Sequence, residues 1–287
     1  MSRFLTRPAT TMITVAPTGA ENRKDDVPQL PTTPEEIAAE AAACEAAGAA
    51  MIHIHVRDAE HAPTLDLPRV REVVAAVREA SSLVVQLSTG GSVHDPMPER
   101  LAVLDAEPDS CSLTLGTVNF GDDVFMNPWG FVVELFRDSR DRGIVPEFEV
   151  FDLGQLTTLR RLLDREGLPA GGKVHVDLVM GVPGGMPGTT DALVACVAAM
   201  PEQVTSWSAT GIGRTHLPVL AASLSAGGHL RVGMEDTVVF GRGPDGPVPV
   251  ASNAELVTGA AGIATQLQRP PATVAGAREL LGLPAVS

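Results

Sequence analysis

Short runs in which apolar and polar residues alternate recur along the chain, each followed by a longer stretch of helical periodicity. The runs fall at 12–17, 50–57, 82–89, 110–116, 145–151, 173–180, 205–212 and 229–235. A period of two marks a strand whose side chains point alternately to two faces. Ile52, Ile54 and Val56 share one face, and His53, His55 and Arg57 the other. Val85 and Leu87 oppose Gln86 and Ser88, and Leu113 and Leu115 oppose Ser112 and Thr114. Phe148 and Val150 oppose Glu147 and Glu149, while Val174, Val176 and Leu178 oppose His175 and Asp177. Helices are expected near 33–48, 66–80, 97–107, 128–142, 153–166, 190–200, 217–226 and 253–268, with a short segment at 272–282. The first has the clearest limits. Thr33 is an N-cap, Pro34 takes the first helical position, Glu36 the third, and Gly48 stops it.

Strand-then-helix repetition predicts an α/β protein, a (β/α)8 TIM barrel forming one domain over 1–287 with a short C-terminal helical extension. A doubly wound sheet is the structural alternative, but its dinucleotide fingerprint fails at the last position of Gly211-Ile212-Gly213-Arg214-Thr215-His216. In a barrel the apolar face lies under the helices and the polar face lines the interior. Most barrel interiors are filled by Val, Ile and Leu. A row of His, Glu, Asp, Ser and Thr there costs several kcal/mol per unpaired group. Five strands sharing the pattern imply a metal or polar ligand at the barrel mouth.

Composition narrows the class of ligand. Hydrophobic residues make up 44% and charged residues 20%, enough for a sizeable core. The net charge of −14 argues against nucleic acid and anionic membranes, and the absence of Tyr argues against base stacking. Cys44, Cys111 and Cys196 are far apart, so neither a disulfide framework nor a cysteine zinc site is expected. No secretory h-region occurs in 1–11 and no stretch reaches the length of a membrane span, so a cytoplasmic location is expected.

The strongest chemical signal is His53-Ile54-His55, an HxH pair pointing to one face of a strand. Catalytic zinc often takes two His and one carboxylate and keeps one position open. Glu235 at the end of the last run is the favoured carboxylate, with Glu149 and Asp177 as competitors. His61, His94 and His229 read as structural or solvated, and Cys111 as packing. Glycine-rich turns follow three strands, at 88–91, 181–185 and 211–214. Their backbone amides, helped by Arg214, suit a carboxylate or phosphate.

These motifs together resemble the β-keto acid cleavage enzymes. The resemblance runs through Thr18-Gly19-Ala20-Glu21, IHIHVRD (52–58), QLSTGG (86–91), GTVNFGDDVF (116–125), VPEFEV (145–150), LVMGVPGGMPG (178–188), ATGIGRTH (209–216) and GGHLRVGMED (227–236). It implies a zinc-dependent barrel, usually a homotetramer, that converts a β-keto acid and acetyl-CoA into acetoacetate and a new acyl-CoA. Carried over by motif, His53, His55 and Glu235 would hold Zn2+. Ser88, Gly91 and Ser112 would hold the substrate carboxylate, and Glu21 would meet the distal tail, an amino group in the best-known member. Arg231, Asp236 and Glu149 would form the reacting centre, with Thr114 and Arg214 among the substrate-binding positions. Ser112, Thr114, Thr215 and Thr237 depart from residues the family often has. Smaller side chains at two of them make room for a different or bulkier tail, while retention of Glu21 favours a tail carrying an amino or ammonium group. Two other readings stand beside this one. One is a CoA-independent metal-dependent barrel lyase or hydrolase. The other is a metal- or carboxylate-binding protein without turnover.

Overall fold

The computed structural model describes residues 8–285. The ends of the chain, including most of the N-terminal stretch judged to lack an h-region, lie outside the described residues. The strands are β1 (Ile13–Val15), β2 (Met51–Ile54), β3 (Val84–Leu87) and β4 (Ser110–Thr114), then a hairpin of β5 (Val118–Phe120) and β6 (Asp123–Phe125). There follow β7 (Val145–Val150), β8 (His175–Met180), β9 (Ser206–Gly211) and β10 (His229–Val232), then a second hairpin of β11 (Val239–Gly243) and β12 (Gly246–Pro249). Leaving out the hairpins, eight parallel strands close in the order β1-β10-β9-β8-β7-β4-β3-β2. This is the predicted (β/α)8 barrel. Around it run α1 (Pro34–Ala47), α2 (Leu67–Ala80), α3 (Met97–Ala102), α4 (Trp129–Asp141), α5 (Gln155–Glu166), α6 (Thr190–Ala199), α7 (His216–Ala226) and α8 (Asn253–Gln266). Among the described residues, no helix is long and apolar enough to cross a membrane.

The local signals behave as their chemistry requires. The Thr33 hydroxyl accepts from the Glu36 amide at 3.2 Å, and the Glu36 carboxylate accepts from the Thr33 amide at 3.2 Å. Gly48 ends α1 in the left-handed region at φ 111°, open to glycine without a Cβ penalty. The expected helix at 97–107 divides into α3 and a 3-10 turn at Val103–Ala106. The two hairpins escaped the alternation pattern because their strands are largely exposed and bury no apolar face that alternates with a polar one.

Apolar side chains fill the layer between strands and helices. Ile13, Ile52, Ile54, Val85 and Leu87 pack with Val73, Val77 and Leu256 on one side, and Leu113, Phe148 and Val176 with Phe136 and Leu159 on the other. A final helix, α9 (Val274–Leu281), joins Ala277 and Leu281 to Met12, Met51, Val84 and Val145. It thereby packs on the strand starts, opposite the mouth.

Above that apolar floor the interior is polar and mostly paired, with the Thr14 hydroxyl and the Glu147 carboxylate buried without a hydrogen bond. The Ser206 hydroxyl lies 2.7 Å from His175 Nδ1, and Ser208 and Thr210 donate to Asp177 at 2.7 and 2.6 Å. His175 Nε2 faces Glu147 at 3.3 Å. Such pairing is what lets these groups stay buried.

Candidate metal and substrate site

β1 lies between β2 and β10, so the end of β2 and the segment after β10 meet across one short strand. The crossing depends on two glycines. A Cβ at Gly233 would lie 1.9 Å from the Ala16 carbonyl oxygen, so only glycine lets the chain leave β10 so close to β1. The Glu235 amide then donates to the same carbonyl at 3.2 Å. Gly19, at φ 65°, presses the loop after β1 against Glu235, where a Cβ would come within 2.6 Å of Cγ.

His53, His55 and Glu235 are thereby brought together. The Glu235 carboxylate lies 3.8 Å from His53 Nε2 and 3.6 Å from His55 Nε2. One donor atom of each lies within 4.8 Å of the others. The Gln86 carbonyl oxygen, which has no proton to give, accepts from His53 Nδ1 at 2.6 Å. His53 Nε2 therefore keeps its lone pair. Burial holds both histidines below their ordinary value, His55 at about 4, although Glu235 pulls upward. Burial opposes the charge on Glu235, yet Arg231, foremost among its neighbours, holds it at about 2. Its second oxygen, Oε2, is buried without a hydrogen-bond partner. Two neutral imidazoles, an ionised carboxylate and an orphaned oxygen fit a divalent metal of zinc type.

Arg231 lies beside this group and is 5% exposed. Its Nε and Nη2 donate to Asp236 at 3.2 and 2.9 Å, and Nη2 also donates to Glu235. Nη1 stands 3.6 Å from Glu149. Burial works against its charge, but Asp236, Glu235, Asp177 and Glu149 together outweigh that and raise it further. Burial pushes Asp236 up to about 7, with Arg231 pulling back and Glu235 adding to the rise. Burial likewise pushes Glu149 up to about 7, against Arg231 and the Thr114 hydroxyl, which donates at 2.8 Å.

A cavity of about 370 Å3 opens over these groups. Of the positions singled out in the sequence, Glu21, His55, Ser88, Gly91, Glu149, Arg231, Glu235 and Asp236 line it, Glu21 at its exposed rim. His53 lies just beneath. Ser112 and Thr114 do not line the cavity. The Ser112 hydroxyl accepts from the Thr89 amide at 3.3 Å, and Thr114 supports Glu149. Arg214 is exposed on a 3-10 turn, outside the lining although its neighbour Gly213 belongs to it. Asp177, a competitor for the metal, is held by two hydroxyls and stands apart from the triad. Of the three histidines read as structural or solvated, His61 bonds the Thr32 hydroxyl and His94 is exposed. His229 is buried, its Nδ1 accepting from the Met12 amide at 3.0 Å. Cys111 is fully buried.

Three supporting residues gave little signal in the sequence. Gln86 was visible only as a polar position on β3. Arg57, 2% exposed, donates to the Gly19 and Asn22 carbonyls and so fixes the loop that carries Glu21. Arg100 donates to the carbonyls of Thr89 and Met126 and to the Asn127 side chain. Its guanidinium also sits 4.8 Å from the Phe125 ring centroid. It ties the β3 turn to the β5–β6 hairpin, a role that no helical periodicity reveals.

Residues 10–283 match the sequence profile of a family described as beta-keto acid cleavage enzyme. The 3-keto-5-aminohexanoate cleavage enzyme of Acetoanaerobium sticklandii is 37% identical over 274 residues, covering 95% of this chain and 98% of that protein. The 3-dehydrocarnitine:acetyl-CoA trimethylamine transferase of Rhizobium meliloti is 37% identical over 269 residues, 85% of this chain and 87% of that protein. Among solved structures, the binary complex of ObcA with oxaloacetate has a TM-score of 0.76 at 22% identity, over 90% of this chain and 68% of that one, a likeness of fold. The match over nearly the whole chain and the identity to these relatives place the protein, an enzyme, in the beta-keto acid cleavage enzyme family.

Proposed function

We propose that the protein converts a β-keto acid, R–CO–CH2–COO−, and acetyl-CoA into acetoacetate and R–CO–CoA. The observation that carries this reading is the meeting of the His53–His55–Glu235 triad with the Arg231–Asp236 pair at the floor of one cavity. The names of relatives support it, one being a cleavage enzyme of a 3-keto acid and another a 3-dehydrocarnitine:acetyl-CoA transferase.

A Zn2+ ion held by His53, His55 and Glu235 would polarise the β-keto oxygen as a Lewis acid. The protein's own residues do the rest. Ser88 and the Gly91 turn seat the substrate carboxylate, while Ser112 braces that turn through the Thr89 amide and Thr114 supports Glu149. Asp236, poised at about 7, takes a proton from C2. The Arg231 guanidinium faces the negative charge that develops. The C2 electron pair attacks the thioester carbonyl, a carbon–carbon bond forms, and CoA leaves as thiolate. The thiolate attacks the keto carbon of the original substrate and the C2–C3 bond breaks. Acyl-CoA forms, and C2 recovers a proton from Asp236, giving acetoacetate. Glu149, also poised at about 7, sits within reach of Arg231 to steady its charge as the reaction proceeds. Arg214, at the rim, meets the anionic CoA. The same reading has residues 1–287 working as one barrel domain in a cytoplasmic homotetramer.

The test is a panel of 3-oxo acids with zinc-loaded protein and acetyl-CoA. Acetoacetate should appear with the parent and vanish in the His53→Ala/His55→Ala variant. Product formed equally well without acetyl-CoA would replace this reading with a lyase or hydrolase. Bound zinc with no product from any acid would leave a binding protein.

A further inference from the structure

The cavity has two unlike faces. Its polar residues cluster on the loops after β1, β2 and β10, with Ser88 and Glu149 from β3 and β7 beside them. The opposite wall is apolar. Phe120 and Phe125 come from the β5–β6 hairpin, Phe151 follows β7, Val179 and Val182 come from β8 and its turn, and Ile212 follows β9. The three rings pack edge to face, with centroids 6.2 to 6.5 Å apart. They form one apolar cluster with the valines and Ile212. Nothing in the reaction at the polar face uses this wall.

We propose that the wall receives the substrate tail and selects an uncharged apolar group, such as a branched alkyl chain. The inference rests on the acyl-transfer reading above and adds the class of acid. A β-keto acid keeps its carboxylate and keto group at the polar face, so its R group is the part left to reach the wall. There each buried methylene improves binding by about fourfold. None of the wall residues, from Phe120 to Ile212, carries a carboxylate to meet a cationic tail. The Phe125 face already carries the Arg100 guanidinium at 4.8 Å. Edge-to-face packing uses the negative face of one ring against the positive edge of the next. Glu21, the carboxylate that would attract an ammonium tail, is exposed at the rim. The buried guanidinium of Arg57 lies under the same loop, bonded to the Gly19 and Asn22 carbonyls, and so sets a positive charge close to Glu21. An exposed, offset charge contributes little to affinity.

A pair of acids of the same shape tests this. One is 3-dehydrocarnitine, which ends in trimethylammonium. The other is 5,5-dimethyl-3-oxohexanoate, where a tert-butyl group takes its place. The neutral acid should show kcat/KM at least about tenfold higher. Calorimetric binding of the same two acids to zinc-loaded protein should show the same order. Equal values or the reverse order would overturn the proposal. If neither acid is turned over while other 3-oxo acids are, the binding ratio decides. If no 3-oxo acid yields acetoacetate, the acyl-transfer reading fails, and the binding ratio still judges the wall. Phe120 is only half-buried, so Phe120→Glu places a carboxylate in the wall with little disturbance. It should move the ratio toward the cationic acid, whereas Phe120→Leu should keep it. An unchanged ratio in Phe120→Glu would show that the wall does not select the tail.

Discussion

Replacing Gln86 by Leu should weaken zinc binding without touching any ligand. The Gln86 carbonyl oxygen accepts from His53 Nδ1 at 2.6 Å, and its amide donates to Ser110 at 3.1 Å. Leu is close in shape and removes the acceptor. His53 then has two options, both unfavourable. It can keep its proton on Nδ1, leaving a buried donor unpaired at about 1–3 kcal/mol. Or it can move the proton to Nε2 and lose the lone pair that faces Glu235. Loss of such an outer partner typically lowers metal affinity about 10–100-fold, equivalent to ~1.4–2.7 kcal/mol. Zinc affinity is read by competition with a chromophoric chelator. Circular dichroism of the metal-free protein confirms that the barrel is intact. Gln86→Glu, which keeps an acceptor opposite Nδ1–H, should retain most of the affinity. An affinity for Gln86→Leu within about twofold of the parent, in a folded protein, would refute the assigned tautomer and the metal site built on it.

Gly19→Ala should also weaken zinc, because a Cβ at φ 65° collides with the Glu235 side chain. The chelator assay would show the loss, and an unchanged affinity would mean the loop moves freely. Arg231→Met strands Asp236 and Glu235 without their cation, and breaking such buried pairs costs about 3–5 kcal/mol. Urea unfolding of metal-free protein measures this, and a loss below ~1 kcal/mol would contradict the pairing. Burial opposes the charge on Glu36, yet Lys24 and the Thr32 and Thr33 amides lower it from 4.5 to about 2. Because the folded value is depressed, this stabilisation is present above pH 4.5 and fades as pH falls toward 2. Glu36→Gln should therefore lower the urea midpoint at pH 6 and converge on the parent near pH 2.

The period of two in the strands is a property of the backbone, so the inward residues of β2, β3, β4, β7 and β8 are legible in the sequence alone. The HxH pair was legible for the same reason, since residues two apart on a strand share a face. The capping box of α1 was legible because its partners are three residues apart. The carboxylate was less so. Glu149 lies on β7, Asp177 within β8 and Glu235 three residues past β10, and local spacing alone favours none of them. Arg57 showed only as a polar position after the HxH pair and Arg100 carried no signal, because their bonds go to carbonyls in distant loops.

The chain's own alternation therefore determined the barrel, the polar lining and the two histidines, because these depend on spacing along one strand. Tertiary structure decided which carboxylate joins them, through Gly233 and Gly19 letting the segment after β10 cross the end of β1. It also set Arg214 outside the cavity lining, and it raised the phenylalanine wall from Phe151 after β7 and a largely exposed hairpin that shows no period. These outcomes depend on which loops lean over the mouth once the sheet has closed, and closure joins residues whose separation in sequence carries no periodic signal.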